Sequence, residues 1–599
     1  MRFERASYRG PAGIMILAPH LRKAGYIWSL VALLLVCIGA GALAGESRFT
    51  FAILGDRTGG AVPGVFEHVV AEVSFLDPDF VITVGDHIEG YVSDEEEIKR
   101  QWDEFHRIMK VPGIKYYLTP GNHDIWDEQS LRIYKDRYGD PDRAFKVENT
   151  RFIIIDNSRQ YGVGDMPDDQ MKWVRKELEK SEDASHIFVF FHKPFWCEDF
   201  SSGRENALHR LFAEHGVTAV FTGHYHRYVH TERDGVRYYG VGSSGGSMWG
   251  TERTGAFYCY MLAQVVDDSV RIELLEPDSF KPLDSVTMEA VTEVTNLGKQ
   301  AIVLSEIRAD EASLSGSMKV TATIANPTEK TLRDTATWEM QDGWTVEPSR
   351  DYIEVPPGEE GQITCYVESG GPLFPVPFLR VRLPYDEGEP LEITRPLNVR
   401  RMIGAVRVDS APQIDGDAGE DVWKGIVGLS DYFGWNGGET AGDPTALKMC
   451  HDGYNLYMAV QCSDAEAESI VALTEERDGF AGYDDLVSVL LQPDREEDFF
   501  YQVTVNPKGT LFDRKIEICP YGTYVVDPKW DPDVEVGVGI EEDKWVVEMS
   551  IPLGSIGIAA GASECGFNFQ RRHVRQDAVS NFQAPFRYSS ASTGILQLE

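Results

Sequence analysis

Five short stretches each end an apolar run in a residue able to bind a metal ion. They are FAILGDRTGG with Asp56, VITVGDHIEG with Asp86, YYLTPGNHD with Asn122 and His123, IFVFFHKPF with His192, and AVFTGHYH with His224 and His226. Carboxylate, amide oxygen and imidazole donors together suit a first-row divalent or trivalent cation better than calcium. One aspartate shared between two such cations would set them roughly 3.5–4 Å apart, the spacing of two-metal hydrolases. A lone histidine after a strand, or a bare Gly-Asp, is commonplace. The ordered series D…GD…GNHD…H…GHxH is what gives the pattern chemical meaning.

The apolar runs at 49–54, 80–84, 116–119, 152–155, 187–191 and 217–222 have the length and composition of buried strands. Charged segments of helical period separate them. In DEEEIKRQWDEFHRIMK, Ile98, Trp102, Phe105 and Met109 share a face, and Ser93-Asp94 is placed to cap the start. Pro167 opens DDQMKWVRKELEKS, with Met171, Val174 and Leu178 on one side. Such alternation predicts an α/β domain with a buried central sheet. Ligands gather at the carboxyl ends of the strands in such sheets, where all five stretches place their polar residues.

On these motifs, residues 49–275 resemble the calcineurin-like metallophosphoesterases. The resemblance implies two mixed β-sheets flanked by helices and a pair of divalent or trivalent ions, Mn, Fe or Zn. Carried across position by position, Asp56 and His226 bind the first ion, Asn122, His192 and His224 the second, and Asp86 bridges both. His123 then donates a proton or hydrogen bond to the phosphate or leaving oxygen, with Asp124 orienting it. The implied reaction is hydrolysis of a phosphate mono- or diester by a metal-bridging hydroxide, formed because the ions lower the pKa of bound water.

The chain departs from that family at one position. The first motif usually reads D-x-H, and Thr58 stands where the histidine belongs. Relatives of the purple acid phosphatases also lack it and use a tyrosine three residues after the bridging aspartate. Here that residue is Glu89, an oxygen ligand or an ordinary loop residue. Arg57 is placed either to meet a phosphate oxygen through its planar fork or to pair with an acidic neighbour. The other class of reading is a non-catalytic glycan-binding or adhesion protein with a degenerate phosphoesterase domain. His87 and His230 lie near the expected cleft, while His68, His106, His186, His209 and His215 have no partner motif. The loop GVGSSGGSMWG is a cleft rim or a plain connection.

Beyond residue 281 the texture becomes short and alternating. MKVTATIANP puts Val320, Ala322 and Ile324 on one face, and DYIEVPPGEEGQITCYVES reads as strand, turn, strand. Residues 285–400 are therefore expected to form an immunoglobulin-like β-sandwich with a spacer role. From 402 to 599, HDGYNLYMAVQCSD and VTVNPKGTLFD read as hairpins. With QIDGDAGEDVWKG, DDLVSVLLQP, WVVEMSIPLGSIGI and GFNFQRRH they resemble family 9 carbohydrate-binding modules. That resemblance implies a second sandwich, able to bind a glycan or cell-surface sugar through loop aromatics such as Trp435 or Trp530, with Trp423 in its core. The fold class is thus multidomain: an α/β phosphoesterase core at 46–280, then two β-sandwiches.

At the amino end, Arg22 and Lys23 precede YIWSLVALLLVCIGAGALAG, which closes in Ala42-Leu43-Ala44. This is the order of a secretory signal peptide, 1–44, and predicts a secreted, periplasmic or surface protein without stable membrane insertion after cleavage. An uncleaved anchor is the alternative, because the apolar run is long enough to span a bilayer. Fifty-seven Lys+Arg against 96 Asp+Glu give a net charge of −39. Nucleic-acid or anionic-membrane binding through general electrostatics is not expected on that ground. Seven cysteines follow the signal segment without a C-x-x-C pair, so no disulfide framework is indicated.

Overall fold

Alternate residues of strand Arg48–Leu54 face two different cores. Phe49, Phe51 and Ile53 join Phe80, Ile82, Phe152, Ile154, Phe188 and Phe221 in one. Ala52 and Leu54 join the helices Val65–Leu76, Glu95–Met109 and Glu128–Tyr138 in the other. A strand stretch covered on both faces must be apolar, as the run Phe51-Ala52-Ile53-Leu54 is. The computed structural model describes residues 48–111, 113–310, 312–385, 389–440, 442–479, 481–559 and 561–599. The expected signal segment, 1–44, lies outside the described residues.

The first core separates two six-stranded mixed sheets. In one, Arg48–Leu54, Phe80–Thr83 and Lys115–Tyr117 run parallel, and the antiparallel strands Tyr260–Val266, Ser269–Glu276 and Ser279–Lys281 extend it. In the other, Thr150–Ile154, His186–Phe190, Ala219–Thr222 and Val236–Val241 are parallel, with antiparallel edges Arg143–Val147 and Tyr228–Arg233. Phenylalanine rings fill the space between the sheets. Phe51 stacks on Phe80 at 5.4 Å and meets Phe152 edge-on at 5.2 Å, the preferred geometries of aromatic pairs. Asp94 caps helix Glu95–Met109 by accepting from the Glu96 amide, and helix Asp168–Glu179 starts after Pro167, as the sequence predicts.

Residues Ile302–Pro396 supply two four-stranded sheets whose residues alternate between buried and exposed around one core. One difference precedes them. Met288–Gln300, inside the span read as all β, is a helix capped by Thr287, whose side chain accepts from the Ala290 amide. Its β-branched residues masked it in the sequence. The third domain supplies twelve strands of a thirteen-stranded sheet folded over on itself, the other being Ile307–Ala309, which pairs in parallel with Val399–Arg407. Strand Val399–Arg407 makes the fold, pairing first with Gly594–Leu598 and then with Thr445–His451, so both halves line one core. The hairpins around Asp452-Gly453 and 506–509 form as expected. Trp423 is buried, donating to Glu548 at 2.7 Å, and Trp435 is exposed. The seven described cysteines are free and buried.

The third domain is locked onto the first. Tyr521, fully buried, belongs to the core between the phosphoesterase sheets and lies against Tyr225. Around it Arg204 pairs with Glu517 at 3.1 Å, and Lys529 donates to the Gly164 carbonyl. Buried Glu198 accepts from the hydroxyls of Tyr225 and Thr523. Burial pushes the Glu198 carboxyl up to about 8 against the opposing pull of its own backbone amide and the Thr523 hydroxyl. Such a group stabilises the fold fully below its unfolded value of 4.5, and the contribution is lost as pH rises through about 8. Glu198→Gln keeps the acceptor and removes the charge. It is expected to flatten the fall in melting temperature between about pH 5 and 8, equivalent to about 3–5 kcal/mol. Parallel melting curves for the two proteins would refute this.

Candidate active site

The strand-end loops of both sheets meet at one place. Donor atoms of Asp56, Asp86 and His226 lie within 4.8 Å of one another, and so do those of Asp86, His192 and His224. Asp86 belongs to both groups. Asp56, Asp86, His192 and His226 are buried, while His224 is half-buried and opens onto a cleft.

Each ligand is aimed by its neighbours. His192 Nδ1 donates to the Val84 carbonyl at 2.8 Å, and His226 Nδ1 donates to the Ser247 carbonyl. A neutral ring held this way keeps its Nε2 lone pair for the site. Asn122 donates its amide to Tyr91 Oη at 3.0 Å, which turns Oδ1 to within 3.0 Å of His192 Nε2. The backbones of Asp86, His224 and His226 sit at φ of 56°, 75° and 51°. That left-handed region costs a non-glycine residue about 1–3 kcal/mol and concentrates at functional sites. Gly121 and Gly223 are glycine for a steric reason. A Cβ there would stand 2.1 Å from Asp86 Oδ1 and 2.2 Å from Asp56 Oδ1.

The charge balance calls for cations. Burial opposes ionisation of Asp86, but His192 and His123 outweigh it and hold the carboxyl far below the usual range. Burial likewise opposes charge on His192, yet Asp86, 3.2 Å away, pushes the ring up to about 9. His226 is raised against burial by Asp56, which lies 3.1 Å off. His224 has no such partner and falls well below the usual value through burial and the nearby His192 and Lys193. Asp56 Oδ1 is buried with no hydrogen-bond partner among the described residues. An orphaned carboxylate oxygen beside inward-facing imidazoles fits bound metal ions, for which Asp56, Asp86 and His226 form one donor group and Asp86, His192 and His224, with Asn122 Oδ1 beside His192, form another.

Three sequence expectations are corrected. Asp124 does not orient His123; it is sealed beneath the site, accepting from the amides of Asp86, His87 and Gly121 at 2.8–2.9 Å and from His87 Nδ1 at 2.7 Å. His123 is instead fixed by its Nδ1 donating to the Glu89 carbonyl at 2.7 Å, with Nε2 left beside Gly59. Arg57 does not reach for phosphate, because its guanidinium pairs with Glu104 at 2.7 Å and donates to the His87 carbonyl. Glu89 does not replace the missing ligand, since its carboxylate accepts from the amides of Gly60 and Ala61. Thr58 is buried with its hydroxyl against the carbonyls of Asp86 and Ile88, bracing the loop that carries Asp86.

Residues not anticipated complete the site. Loop 242–250 is more than a connection: the amides of Ser244, Gly245 and Gly246 donate to the Asp56 carbonyl, Ser247 holds His226, and Trp249 stacks on His226 at 5.1 Å. Its run of Gly and Ser was the available signal. His87, expected only near the cleft, bridges Asp124 and Thr83, whereas His230 stacks on Tyr239. The cleft in front of His224 encloses about 1630 Å³. Asn122, Lys193, His224 and Trp249 wall one side, and Tyr483, Arg514, Tyr524 and Tyr588 of the third domain wall the other.

Comparison with known proteins falls on the same stretch. The family model for calcineurin-like phosphoesterases matches residues 49–228. The serine/threonine-protein phosphatase CPPED1 of Rattus norvegicus is 25% identical over 182 residues, covering 27% of this chain and 58% of that protein. The Fe(3+)-Zn(2+) purple acid phosphatase 12 of Arabidopsis thaliana is 25% identical over 158 residues, covering 22% of this chain and 33% of that one. This chain thus spans 58% of the first of these relatives and 33% of the second. Among solved structures, a carbohydrate binding module family 9 from Caldicellulosiruptor kristjanssonii in complex with glucose is 15% identical, with a TM-score of 0.25 over 33% of this chain and 95% of that one. The match ends just past His226, the last of the gathered donors, and residues 49–228 are a calcineurin-like phosphoesterase domain.

Proposed function

We propose that the protein is an exported, metal-dependent phosphoesterase that cleaves a phosphate mono- or diester at the floor of the cleft between its first and third domains. The observation carrying this reading is the pair of donor groups that share Asp86, with imidazole Nε2 atoms turned inward. When bound, two cations, Mn, Fe or Zn, supply Lewis-acid polarisation of the phosphoryl group and acidification of water for attack on phosphorus.

The chain's own contribution is placement and proton handling. Asp86, His224 and His226 are held in strained but braced conformations, so little reorganisation is left for the reaction. His123, its Nδ1 fixed by the Glu89 carbonyl, has Nε2 available to protonate the leaving oxygen. Thr58 leaves the Asp56 side with fewer protein donors than the family pattern. Export follows from the segment at 22–44. Glycan targeting by the third domain belongs to the same reading and rests on Trp435, 62% exposed.

The test is phosphate release from p-nitrophenyl phosphate and its bis-ester after reconstitution with each metal. His123→Ala is expected to lower kcat by about 10²–10⁴-fold, the usual worth of a general acid, with metal content unchanged by elemental analysis. No release from either ester with any metal would overturn the reading.

A further inference from the structure

The third domain does more than adjoin the catalytic cleft; it brings a cation into it. Arg514 sits on strand Leu511–Ile518 with its guanidinium over the Tyr161 ring at 5.3 Å and beside the phenols of Tyr524 and Tyr588. The other cations lining the cleft are engaged. Arg159 and Arg210 pair with Glu128 and Glu205, while Lys193, Arg227 and Lys529 donate to the carbonyls of Gln160, Trp249 and Gly164. Among the described residues no carboxylate lies within 4.0 Å of Arg514, and Asp478 acts on it only from farther off.

A half-buried guanidinium without a counter-ion is costly unless a ligand supplies the charge. Its planar fork matches phosphate and carboxylate oxygens in pairs, and a rigid strand flanked by aromatic rings holds that fork in one orientation. Tyr161 also relates this group to the reaction site. Lys193, next to His192, has its Nζ 5.4 Å from the centre of the same ring. The two cations are therefore one tyrosine apart, a separation that a hexose bearing charged groups at both ends can bridge.

We propose that the substrate carries a second anionic group, a phosphate or a carboxylate, beyond the ester that is cleaved, and that Arg514 of the third domain binds it. This rests on the phosphoesterase reading above. It makes the C-terminal sandwich a specificity element of the active site, whatever else its surface binds.

The test uses the full chain loaded with metal, as wild type, Arg514→Gln and Arg514→Lys, on glucose 6-phosphate, glucose 1,6-bisphosphate and 6-phosphogluconate. The ratio of kcat/KM for the doubly anionic substrate over that for glucose 6-phosphate is expected to fall at least tenfold in Arg514→Gln, through KM, and to recover in part in Arg514→Lys. A fall for the bisphosphate assigns a phosphate, and a fall for 6-phosphogluconate a carboxylate. Ratios unchanged in Arg514→Gln would overturn the proposal. Calorimetric titration of both doubly anionic compounds separates this from failure of the phosphoesterase reading. If no ester is hydrolysed, tenfold weaker binding to Arg514→Gln still supports the subsite, and absent or equal binding refutes it.

Discussion

Asp86→Asn is expected to lower kcat/KM on p-nitrophenyl phosphate by about 10³-fold or more and to strip most of the bound metal. The substitution is nearly isosteric, and the new side-chain oxygen can still accept from the His123 amide as Asp86 Oδ1 does at 2.9 Å. The fold around it is held from elsewhere, by Asp124 on the Asp86 amide and by the amides of Arg57 and Thr58 on its carbonyl. What disappears is the negative charge common to both donor groups. One amide cannot neutralise two cations, and its NH₂ would face His192 Nε2 or one of the ions. Kinetics and elemental analysis of the same preparation check this. Activity within tenfold of wild type at full metal content would show that Asp86 is not the shared ligand.

Tyr521→Ala is expected to cost about 3–5 kcal/mol, the usual range for removing a large buried aromatic side chain. The tyrosine is fully buried in a core belonging mostly to another domain, so the cavity would open at the seam. Neighbours there, Cys197 and Tyr225, are anchored on separate elements and cannot collapse inward together. Tyr521→Phe keeps the ring and is expected to stay within about 1.5 kcal/mol of wild type. Urea unfolding of the two variants checks both values. An alanine variant as stable as the phenylalanine one would mean that the seam contributes nothing to the first domain.

The motifs at Asp56, Asp86, Asn122, His192, His224 and His226 were legible because each lies directly after an apolar strand, and parallel strands deliver their loops to one edge. Local pattern sufficed there. It failed for Arg57, Glu89 and Asp124, whose partners are decided by folding: Glu104 for Arg57, the Gly60 and Ala61 amides for Glu89, and four backbone donors for Asp124. A charged residue beside a motif looks functional in sequence whichever way its side chain finally turns. The sandwiches were legible from their alternation. The docking of one against the phosphoesterase domain was not, because Tyr521 and Arg514 look like ordinary strand and turn residues until the two domains meet.

The place of Tyr521 has a consequence for biogenesis. The last strand of the second phosphoesterase sheet ends at Val241, and the residue that plugs the core lies 280 positions later. At about 5–20 residues per second, a ribosome needs about 15–60 s to cover that interval. Throughout it the nascent first domain presents an unfilled, aromatic-lined hole beside Tyr225. Chains truncated before 521 should therefore be retained by holdase chaperones, and should lose that retention once the missing segment is added back in trans.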